Sequence, residues 1–377
     1  MQPIPIVLLV DDFENNLEVI EVYLKKVYDN HIVIHKAKTG VEALACFEKH
    51  VIDLVLLDVM LPDMDGFFLC HTMKEKRGDD YLPIVMLTAL HDKESLLEGL
   101  SAGADDFLTK PVNPEELMIR VRNLVNLRMA NKELQRKYES LTQEMHLARE
   151  LLNDFMPKYS PVIEGVTFDT IYEPSSILGG DFYDIFCISE GFYGFFMSDV
   201  KGHGTAAAMI VALIKEKLHF LRSQWLKPEC VIKRLNQIMC SFFENIRDDY
   251  FMTAIYAVFD FKAKKLTWCS AGHTPIAYFS KMGFRELRQH GLPLGIIKDI
   301  GYESSQQSFQ DGEAFVFYTD GIFELPLFLK EDEHFSSLSE SKLALFDARR
   351  LIKDIRNNIN PSALKDDVNV VGMFVGG

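Results

Sequence analysis

Residues 51–66 read VIDLVLLDVMLPDMDG, and this stretch decides the fold of the first part of the chain. Its largely apolar run, Val51–Leu57, stops at Asp58. Runs that are apolar on both faces are typical of strands in a parallel sheet covered by helices on both sides. The residue that ends such a strand lies at the sheet edge where ligands bind in these folds.

Two other segments repeat this pattern. They are Ile6–Val10, which stops at Asp11 and Asp12, and Ile84–Leu87, which stops at Thr88. Between the first two runs, apolar residues recur at roughly helical spacing, at Leu17, Ile20, Val22 and Leu24. Strands that alternate with helices predict a doubly wound α/β domain, and Lys110 belongs to the same set of strand ends.

The side chains at these strand ends suit phosphoryl chemistry. Three carboxylates, Asp11, Asp12 and Asp58, would repel one another unless a cation lay among them, and hard oxygen ligands favour Mg²⁺. Lys110 adds a positive charge, and Thr88 adds a hydroxyl donor. An aspartate in such a site can attack a phosphoryl group as a nucleophile, while the cation and the two donors hold the added oxygens.

In this order and spacing, these residues resemble the receiver domain of bacterial response regulators over residues 1–126. The matching pieces are Asp11-Asp12, Asp58-Val-Met-Leu-Pro-Asp-Met-Asp-Gly66, Thr88-Ala89, Phe107 and Lys110-Pro111. The resemblance implies a doubly wound, five-stranded parallel sheet. It also implies that Asp58 accepts a phosphoryl group from a histidine kinase or a phosphotransfer protein.

The same resemblance implies a role for each matched residue. Asp12, Asp58 and the carbonyl of Met60 would hold Mg²⁺, with Asp11 supporting the ion through water. Thr88 and Phe107 would shift when Asp58 is phosphorylated, and Lys110 completes the switch set. Taken singly, Asp12 could instead be a helix N-cap and Lys110 a solvated surface lysine.

Residues 127–156 predict a helical coiled-coil linker. Apolar positions follow a 4-3-4-3 spacing, at Leu127, Asn131, Leu134, Tyr138, Leu141, Met145, Ala148, Leu152 and Phe155. Such a seam favours a homodimer, in which the polar Asn131 would fix the register, and Pro157 ends the helix. The alternative is a long amphipathic helix that packs on its own domain.

Residues 157–377 predict a second domain of α+β type. Strand-like runs occur at Val166–Ile171, Phe182–Ile188, Phe192–Met197, Phe251–Phe259, Leu266–Cys269, Ala314–Tyr318 and Val368–Val375. Two helical patterns, about 205–224 and 228–245, fall between the third and fourth runs. This order favours antiparallel sheet with helices packed outside it. The polar stretch 326–341 reads as a loop or an insertion.

Acidic residues at tight turns mark the ends of several of these strands. They are Asp181 after Gly179-Gly180, Asp199 before Val200-Lys201-Gly202, Asp320 before Gly321, and the pair Asp366-Asp367. Four acidic sites of this kind suit hard cations and would balance two divalent ions. Paired ions activate a water and orient a phosphoryl group for in-line attack. The alternative for Asp181 and Asp320 is a purely structural role, because aspartate beside glycine is common in turns.

These motifs resemble the SpoIIE-type branch of the metal-dependent serine/threonine phosphatases, the phosphatase 2C or PPM family, from about Leu147 to the C-terminus. The matching pieces are Gly-Gly-Asp-Phe-Tyr-Asp184, Asp199-Val-Lys-Gly-His-Gly204, Ser270-Ala-Gly-His-Thr-Pro275, Leu294-Gly-Ile296, Tyr318-Thr-Asp-Gly321 and Asp366-Asp-Val-Asn369. The resemblance implies an α-β-β-α sandwich. Asn369 departs from the family, which usually has Thr there.

The resemblance to phosphatases implies two Mn²⁺ or Mg²⁺ ions and a ligand set for them. Asp199 would bridge the ions. Asp181 and the Val200 carbonyl would complete one ion, and Asp320 and Asp366 the other. Asp184 and Asp367 are weaker ligand candidates. His203 is a candidate general acid, since histidine titrates near neutral pH, although a structural role in its Gly turn is equally open. We expect His273 to be structural.

Composition limits the classes of partner. The 377 residues carry a formal net charge of −15, which argues against binding to nucleic acid or to an anionic membrane surface. The six cysteines form no CxxC pair and no zinc spacing, so we expect reduced packing residues and a cytoplasmic protein. No run approaches the ~20 apolar residues of a membrane span. Met1–Val10 lacks a basic region and predicts a strand rather than a signal peptide.

Together these patterns predict a two-component response regulator with phosphatase output. The expected substrate, by resemblance, is a phosphorylated anti-sigma-factor antagonist in a partner-switching circuit. Phosphorylation of Asp58 would alter receiver pairing, and the helix from about 113 to 156 would transmit this change to the catalytic domain. The alternative is a catalytically inactive phosphatase fold that serves as a phosphorylation-controlled adaptor. A transcription factor is disfavoured, because the sequence shows no DNA-binding signature.

Overall fold

The structure of the protein is a computed structural model. It describes residues 4–89, 101–153, 161–202, 204–244, 246, 250–328 and 347–376. The chain divides into two compact units, Met1–Leu141 and Thr142–Gly377.

The first unit contains a parallel sheet with helices on both faces. Its elements are β1 (Ile6–Val10), α1 (Glu14–Val27), β2 (Val33–Ala37), α2 (Gly40–Lys49), β3 (Leu54–Asp58), α3 (Gly66–Arg77), β4 (Ile84–Thr88), β5 (Asp106–Thr109) and the long helix α4 (Pro114–Asn153). The five strands are ordered β2-β1-β3-β4-β5, and every neighbouring pair is parallel. This confirms the doubly wound, five-stranded sheet.

The predicted strand pattern follows from burial. Strands β3 and β4 are buried at every position, because one core lies on each face of the sheet. Because the strands are parallel, their carboxyl ends lie at the same edge of the sheet. The register there places Val10 beside Leu57, Asp58 beside Leu87 and Thr88 beside Thr109.

Helix α4 is a single helix of 40 residues that runs from the receiver sheet through the predicted coiled-coil seam. Its first turns are buried through Leu117, Val121 and Val125 against β1, β3 and β4. Further along, the apolar seam positions face solvent in the single chain, at Leu127, Leu134, Tyr138 and Leu141. The predicted seam residue Phe155 and the terminator Pro157 lie outside the described residues.

The second unit contains two antiparallel sheets. Its elements are β6 (Val166–Glu173), β7 (Asp181–Ser189), β8 (Phe192–Val200), α5 (Thr205–Phe220), α6 (Pro228–Phe243), β9 (Met252–Asp260), β10 (Lys265–Ala271), β11 (Ile276–Ser280), β12 (Gly283–Leu287), β13 (Ser305–Ser308), β14 (Ala314–Tyr318), α7 (Ala348–Asn358) and β15 (Val368–Val375). The sheets have the orders β13-β10-β9-β8-β7 and β12-β11-β14-β15-β6.

Three apolar layers hold this unit together. One core lies between the two sheets and includes Phe195, Phe259, Phe315 and Phe317. A second packs α5 and α6 on the outer face of the first sheet, and a third packs α7 on the outer face of the second sheet. The resulting order of layers, helix-sheet-sheet-helix, confirms the predicted sandwich.

Four elements of this unit were not predicted from the sequence. Strands β11, β12 and β13 and helix α7 lie in stretches that carried no expectation of regular structure. The predicted helix over about 205–224 ends at Phe220, and a 3₁₀ turn at Arg222–Gln224 follows it. Of the stretch 326–341, only residues 326–328 are described, so the expected loop or insertion there lies largely outside the structure's range.

Candidate functional site

The carboxyl-end edge of the receiver sheet brings the predicted phosphoacceptor next to a lysine. Asp58 is the last residue of β3 and is 5% exposed, and Asp11 directly follows β1 and is fully buried. The Lys110 Nζ lies 2.6 Å from Asp11 Oδ2 and 2.7 Å from Asp58 Oδ2. Burial opposes the charge on Lys110, but its hydrogen bonds to both carboxylates raise the lysine pKa, so it stays cationic.

Three acidic residues at this edge form a cluster that fits Mg²⁺. Oxygens of Asp11, Asp12 and Asp58 all lie within 4.8 Å of one another, and Asp12 is exposed to solvent. Burial raises the pKa of Asp58, although the hydrogen bond and charge of Lys110 oppose that rise. A hard divalent cation among the three carboxylates would favour their ionised forms, so the donor set suits the predicted ion.

The Asp11 carboxylate already has several donors. Its Oδ1 accepts from the Phe13 amide at 2.9 Å, both its oxygens accept from Asn16 Nδ2 at 3.0 Å, and Lys110 binds Oδ2. These contacts fix the rotamer of Asp11 and leave it little capacity for a direct metal bond. They favour the indirect role, through water, that the resemblance implied.

The other predicted receiver residues lie around Asp58. The amide of Met60 donates to Asp58 Oδ1 at 3.4 Å, while its side chain is 72% exposed. Thr88 is the buried last residue of β4, the strand next to β3. Phe107 lies in β5 and packs, partly buried, against the core on one face of the sheet.

Gly66, the last residue of the stretch 51–66, is required by the close packing around Asp58. A Cβ added to Gly66 would lie 2.3 Å from the Asp58 carbonyl oxygen, so the start of α3 passes directly against the phosphoacceptor backbone. Asp63, in the same loop, accepts from the Gly40 amide at 2.8 Å and from the Val41 amide at 3.0 Å, at the start of α2. The sequence quoted at the outset therefore also fixes the loop that follows Asp58.

In the second unit, two predicted ligands are paired across neighbouring strands. Asp181 opens β7 and Asp199 lies near the end of β8, and the antiparallel register places them opposite each other. Asp181 is 2% exposed. Burial, followed by the charges of Asp199 and Asp367, raises the pKa of Asp181 well above its usual range.

The other two predicted ligands come from the opposite sheet. Asp320 follows β14 and Asp366 precedes β15. Burial raises the pKa of Asp199 to about 7, and the charges of Asp320, Asp366 and Asp367 add to the rise. The four predicted aspartates therefore belong to one electrostatic cluster, formed by the ends of strands from both sheets.

This cluster has the chemistry of a two-cation centre. Burial, and after it the charges of the neighbouring carboxylates, raises the pKa values of Asp181, Asp199 and Asp366, and divalent cations would reverse that effect. Among the described residues, no three of these carboxylates bring their oxygens within 4.8 Å of one another, unlike the receiver triad.

Asp367, a weaker ligand candidate, has a different contact set. Its Oδ1 accepts from the amide and hydroxyl of Ser175 at 2.7 and 2.8 Å, and its Oδ2 accepts from the Gly180 amide at 2.6 Å and the Asp181 amide at 3.3 Å. Asp367 therefore holds the Gly-Gly-Asp turn in place. Sequence reasoning missed this role.

Thr319 is a second residue whose role sequence reasoning missed. Its hydroxyl donates to Asp181 Oδ2 at 2.6 Å, and the backbone amide of Asn369 donates back to that hydroxyl at 3.1 Å. Thr319 thereby ties a ligand candidate from one sheet to strands of the other. The signal was present in the Tyr-Thr-Asp-Gly motif, where only the aspartate received a role.

Glycines let the backbones meet at this centre. A Cβ on Gly180 would lie 2.9 Å from the Val200 carbonyl oxygen, the predicted backbone ligand, and one on Gly321 would lie 2.1 Å from the Asp367 carbonyl oxygen. The Val200 amide donates to the Gly180 carbonyl at 3.3 Å. The Gly residues beside Asp181 and Asp320 are therefore required for close approach of neighbouring strand ends within each sheet, β7 to β8 in one and β14 to β15 in the other.

The remaining candidates lie elsewhere or outside the described residues. Asp184 is buried beneath α5, where its Oδ2 lies 3.4 Å from His219 Nε2, and the structure does not bring it into the cluster. His203 lies outside the described residues. His273 is buried, its Nδ1 lies 2.8 Å from Thr253 Oγ1, and burial lowers its pKa to about 3. Asn369 is fully buried, and its side-chain amide has no partner among the described residues.

Comparison with known proteins identifies both units. Residues 7–122 match the response regulator receiver domain family, and residues 189–375 match the family of the stage II sporulation protein E, SpoIIE. The chain therefore consists of a response regulator receiver domain fused to a SpoIIE-type phosphatase 2C domain.

Individual relatives match one unit each. The response regulator PleD of Caulobacter vibrioides is 37% identical over 134 residues, which cover 36% of this chain and 29% of PleD. The phosphoserine phosphatase RsbP of Bacillus subtilis is 30% identical over 185 residues, or 48% of this chain and 45% of RsbP. The solved phosphatase domain of SpoIIE from Bacillus subtilis is 19% identical, with a TM-score of 0.48, over 57% of this chain and 64% of that one.

The chain thus spans less than half the length of the curated relatives named here. Among the described residues, no helix combines the length and apolar character that crossing a membrane requires.

Proposed function

We propose that this protein is a response regulator whose output is metal-dependent dephosphorylation of phosphoserine or phosphothreonine on a partner protein. The observation that most supports this is the cluster around Asp199. Acidic strand ends from both sheets interact electrostatically: burial, and after it the charges of the other aspartates, raises the pKa values of Asp181, Asp199 and Asp366. Packing alone does not explain such an arrangement, because Asp181 is buried and Asp199 half-buried beside further carboxylates, and like charges so placed destabilise a fold that has no cation to balance them.

In this proposal two divalent ions, Mn²⁺ or Mg²⁺, would share Asp199 as a ligand. Asp181 and the Val200 carbonyl would be the other protein ligands of one ion, and Asp320 and Asp366 those of the other. When bound, the ions supply an activated water and positive charge for the phosphoryl oxygens. Asp367 and Thr319 position Asp181 through its backbone amide and its Oδ2. His203 is the proposed general acid.

Asp58 is the proposed phosphoacceptor, and a histidine kinase or phosphotransfer protein is the proposed donor. Lys110 already spans Asp11 and Asp58, so its charge is in place to stabilise added phosphoryl oxygens. Asp12, Asp58 and the Met60 carbonyl are the proposed Mg²⁺ ligands, with Asp11 acting through water. Thr88 and Phe107 are the proposed residues that respond to phosphorylation.

We further propose three segments, 1–126, 127–156 and 157–377, in which the middle one forms a homodimeric coiled coil that transmits the receiver's state. Four seam side chains of α4 are at least half exposed in the single chain, Leu127, Leu134, Tyr138 and Leu141. A second copy of the helix would bury them. Measuring the mass of the complex in solution for wild type and for Leu134→Lys/Leu141→Lys tests this; an unchanged monomeric mass in both would rule out the dimer.

The proposed substrate is a phosphorylated anti-sigma-factor antagonist in a partner-switching circuit. The likeness to RsbP, which is named a phosphoserine phosphatase, supports the phosphoserine part of this proposal. Trapping the partner on an Asp199→Ala variant and mapping its phosphosite would identify the substrate. Recovery of a partner that carries no phosphoserine or phosphothreonine would count against this assignment.

Hydrolysis of p-nitrophenyl phosphate with Mn²⁺ tests the activity itself. We expect turnover in wild type and its loss in Asp199→Ala and Asp320→Ala. Asp311→Ala is the matched control, because its side chain is exposed and paired only with Lys264 on the surface. The assay is repeated with and without a phosphoryl donor to the receiver, because control by Asp58 predicts different rates in the two states.

The alternative is an adaptor that uses the phosphatase fold only to bind a sigma-factor regulatory protein. Absence of Mn²⁺-dependent turnover in wild type, in both phosphorylation states, would favour it. For the receiver, Asp58→Ala should abolish incorporation of acid-labile phosphate, and equal rates with and without donor would defeat the coupling between the two units.

A further inference from the structure

A cluster of two histidines and a cysteine lies in the receiver unit, away from the acidic edge. His35 lies in the edge strand β2, Cys46 lies in α2, and His50 directly follows α2. Their ligand atoms, one from each side chain, all lie within 4.8 Å of one another. Cys46 and His50 are four residues apart on a helix and its C-cap, a spacing that places two side chains on one face.

Within the part of the chain that the structure describes, the three side chains have no hydrogen-bond or ion-pair partner. Among the described residues, no hydrogen bond involves either imidazole or the Cys46 thiol, and none of the three belongs to an ion pair. The two imidazole rings are stacked, with centroids 4.1 Å apart and planes inclined by 22°. All three residues are half-buried, so they can be reached from solvent and still shelter a bound ion.

We propose that His35, Cys46 and His50 bind one Zn²⁺ ion, with water as the fourth ligand. Two imidazoles and one thiolate are a donor set that proteins use for zinc, at about 2.0–2.1 Å for nitrogen and 2.3 Å for sulfur. The stacked rings must rotate about their side-chain bonds so that a nitrogen of each points at the ion. Because the ring nitrogens have no competing partner, this rotation breaks no hydrogen bond.

The donor types separate this site from the two acidic ones. Carboxylates and carbonyls favour Mg²⁺ and Mn²⁺, whereas imidazole and thiolate favour zinc and other borderline or soft metals. The binding step is balanced by one proton: the Cys46 thiol loses its proton to solvent as the sulfur–zinc bond forms, and both histidines bind as neutral rings.

Such a site would connect an edge strand to the helix beside it. Among the described strands, β2 pairs with β1 alone, so its outer side has no neighbouring strand there. A metal bridge from His35 to the end of α2 would hold β2 against that helix. It would also protect Cys46 from alkylation and oxidation, because a metal-bound thiolate is a poorer nucleophile than a free one.

Titration of the full chain with Co²⁺ under reducing conditions tests the proposal. A cobalt–thiolate bond gives a near-ultraviolet charge-transfer band, which all-oxygen sites cannot produce, so the acidic clusters do not interfere. We expect a band that saturates as a single site and disappears when Zn²⁺ is added. Cys46→Ser should abolish it. His35→Gln and His50→Gln should weaken binding about tenfold or more, since even outer-shell changes cost about 10–100-fold in metal affinity.

Cys187→Ser is the matched control, because Cys187 is the exposed cysteine among the six and the best source of adventitious thiolate. A second measurement needs no variant: Zn²⁺ should slow alkylation of Cys46 in wild type, mapped by mass spectrometry. The proposal is overturned by the absence of a band in wild type, by a band that survives in Cys46→Ser or is lost in Cys187→Ser, or by unchanged affinity in both histidine variants.

Discussion

Asp366 and Asp367 are adjacent in the phosphatase unit but have different roles. Asp366 is exposed and belongs to the acidic cluster, whereas Asp367 is buried and accepts hydrogen bonds from Ser175, Gly180 and Asp181. Neighbouring residues in extended chain point in opposite directions. The sequence could place an acidic pair at the strand start, but only the pairing with the turn at 175–181 decides which carboxylate faces it.

This division predicts opposite outcomes for two matched substitutions. Both oxygens of the Asp367 carboxylate accept hydrogen bonds from backbone N–H groups. In Asp367→Asn the side-chain NH₂ group would face one of these donors, so we expect the variant to destabilise the phosphatase unit by roughly 1–3 kcal/mol. Asp366→Asn should leave stability almost unchanged and lower the affinity for Mn²⁺. Denaturant unfolding and Mn²⁺ titration of both variants test this. An equal loss of stability in both variants would contradict the assignment of a structural role to Asp367 and a metal-binding role to Asp366.

His273 predicts a pH dependence for the stability of the same unit. Burial lowers its pKa to about 3, below the ~6.5 expected in the unfolded chain. Between these values the unfolded chain binds one more proton than the folded one, so stability is complete above pH ~6.5 and falls with decreasing pH. The slope from this residue is at most about 1.4 kcal/mol per pH unit.

Unfolding from pH 7 to 4 measures this slope. Both tryptophans of the chain, Trp225 and Trp268, lie in the phosphatase unit, so their fluorescence follows that unit alone. His273→Asn should flatten the acid side of the stability curve relative to wild type. If stability depends on pH in the same way in wild type and in His273→Asn, then the pKa of His273 does not differ between the folded and the unfolded chain.

At the scale of elements, the base of α4 is fixed to the receiver by a buried arginine. Arg128 is 1% exposed, its guanidinium forms two hydrogen bonds with Asp80, and its Nε lies 3.8 Å from Asp53 Oδ1. Lys132, one turn later, also pairs with Asp53. These contacts extend past residue 126, the expected end of the receiver domain, so the start of the predicted linker is held by receiver residues.

Replacement of this arginine should loosen the helix base. We expect Arg128→Met to destabilise the receiver unit by roughly 1.5–3 kcal/mol, the range for hydrogen bonds to charged groups. The loss is smaller than for a fully uncompensated ion pair because Lys132 still neutralises Asp53. Arg128→Lys should not restore stability, since only the planar fork binds both Asp80 oxygens.

Hydrogen exchange of the β1 and β3 amides measures this change. Arg122→Met is the control on the same helix, because Arg122 is exposed and should change stability by less than about 0.5 kcal/mol. Exchange rates in Arg128→Met equal to those of the control would show that the buried contacts carry no stability.

The elements that the sequence did not reveal share a physical cause. Strand β13 reads SQQS, pairs only with β10 at a sheet edge and has no apolar pattern. Strand β12 is likewise an edge strand with a single buried residue, Leu287. Helix α7 is different, because Leu351, Ile352 and Ile355 have helical spacing and could have been recognised. Buried central strands, by contrast, were identified from their continuous apolar runs.

At the scale of the whole molecule, the two units should respond separately to metal. Because Mn²⁺ bound at the proposed centre would relieve the repulsion around Asp199, it should raise the stability of that unit by about 2.7 kcal/mol at 100-fold excess over the dissociation constant. The tryptophan-reported unfolding midpoint should rise with Mn²⁺ and fall with a chelator. In Asp199→Ala the midpoint should no longer depend on Mn²⁺; a dependence equal to wild type would show that the ions bind elsewhere.

The acidic residues of the candidate sites could be predicted from the sequence, but the residues that support them could not. Acidic residues at strand ends were visible in the sequence, because a strand's last residue is marked by the end of its apolar run. The supporting contacts of Thr319, Asp367 and Arg128 were not, since each joins residues far apart in the chain. The cluster of His35, Cys46 and His50 was missed for the same reason: one of its members comes from a different element.

The composition of α4 has a mechanical consequence. After Pro114 its 40 residues contain neither glycine nor proline, the residues at which long helices usually bend. The sequence therefore supplies no site for a sharp kink, and we expect any bending of this helix to be a gentle curve spread over many turns.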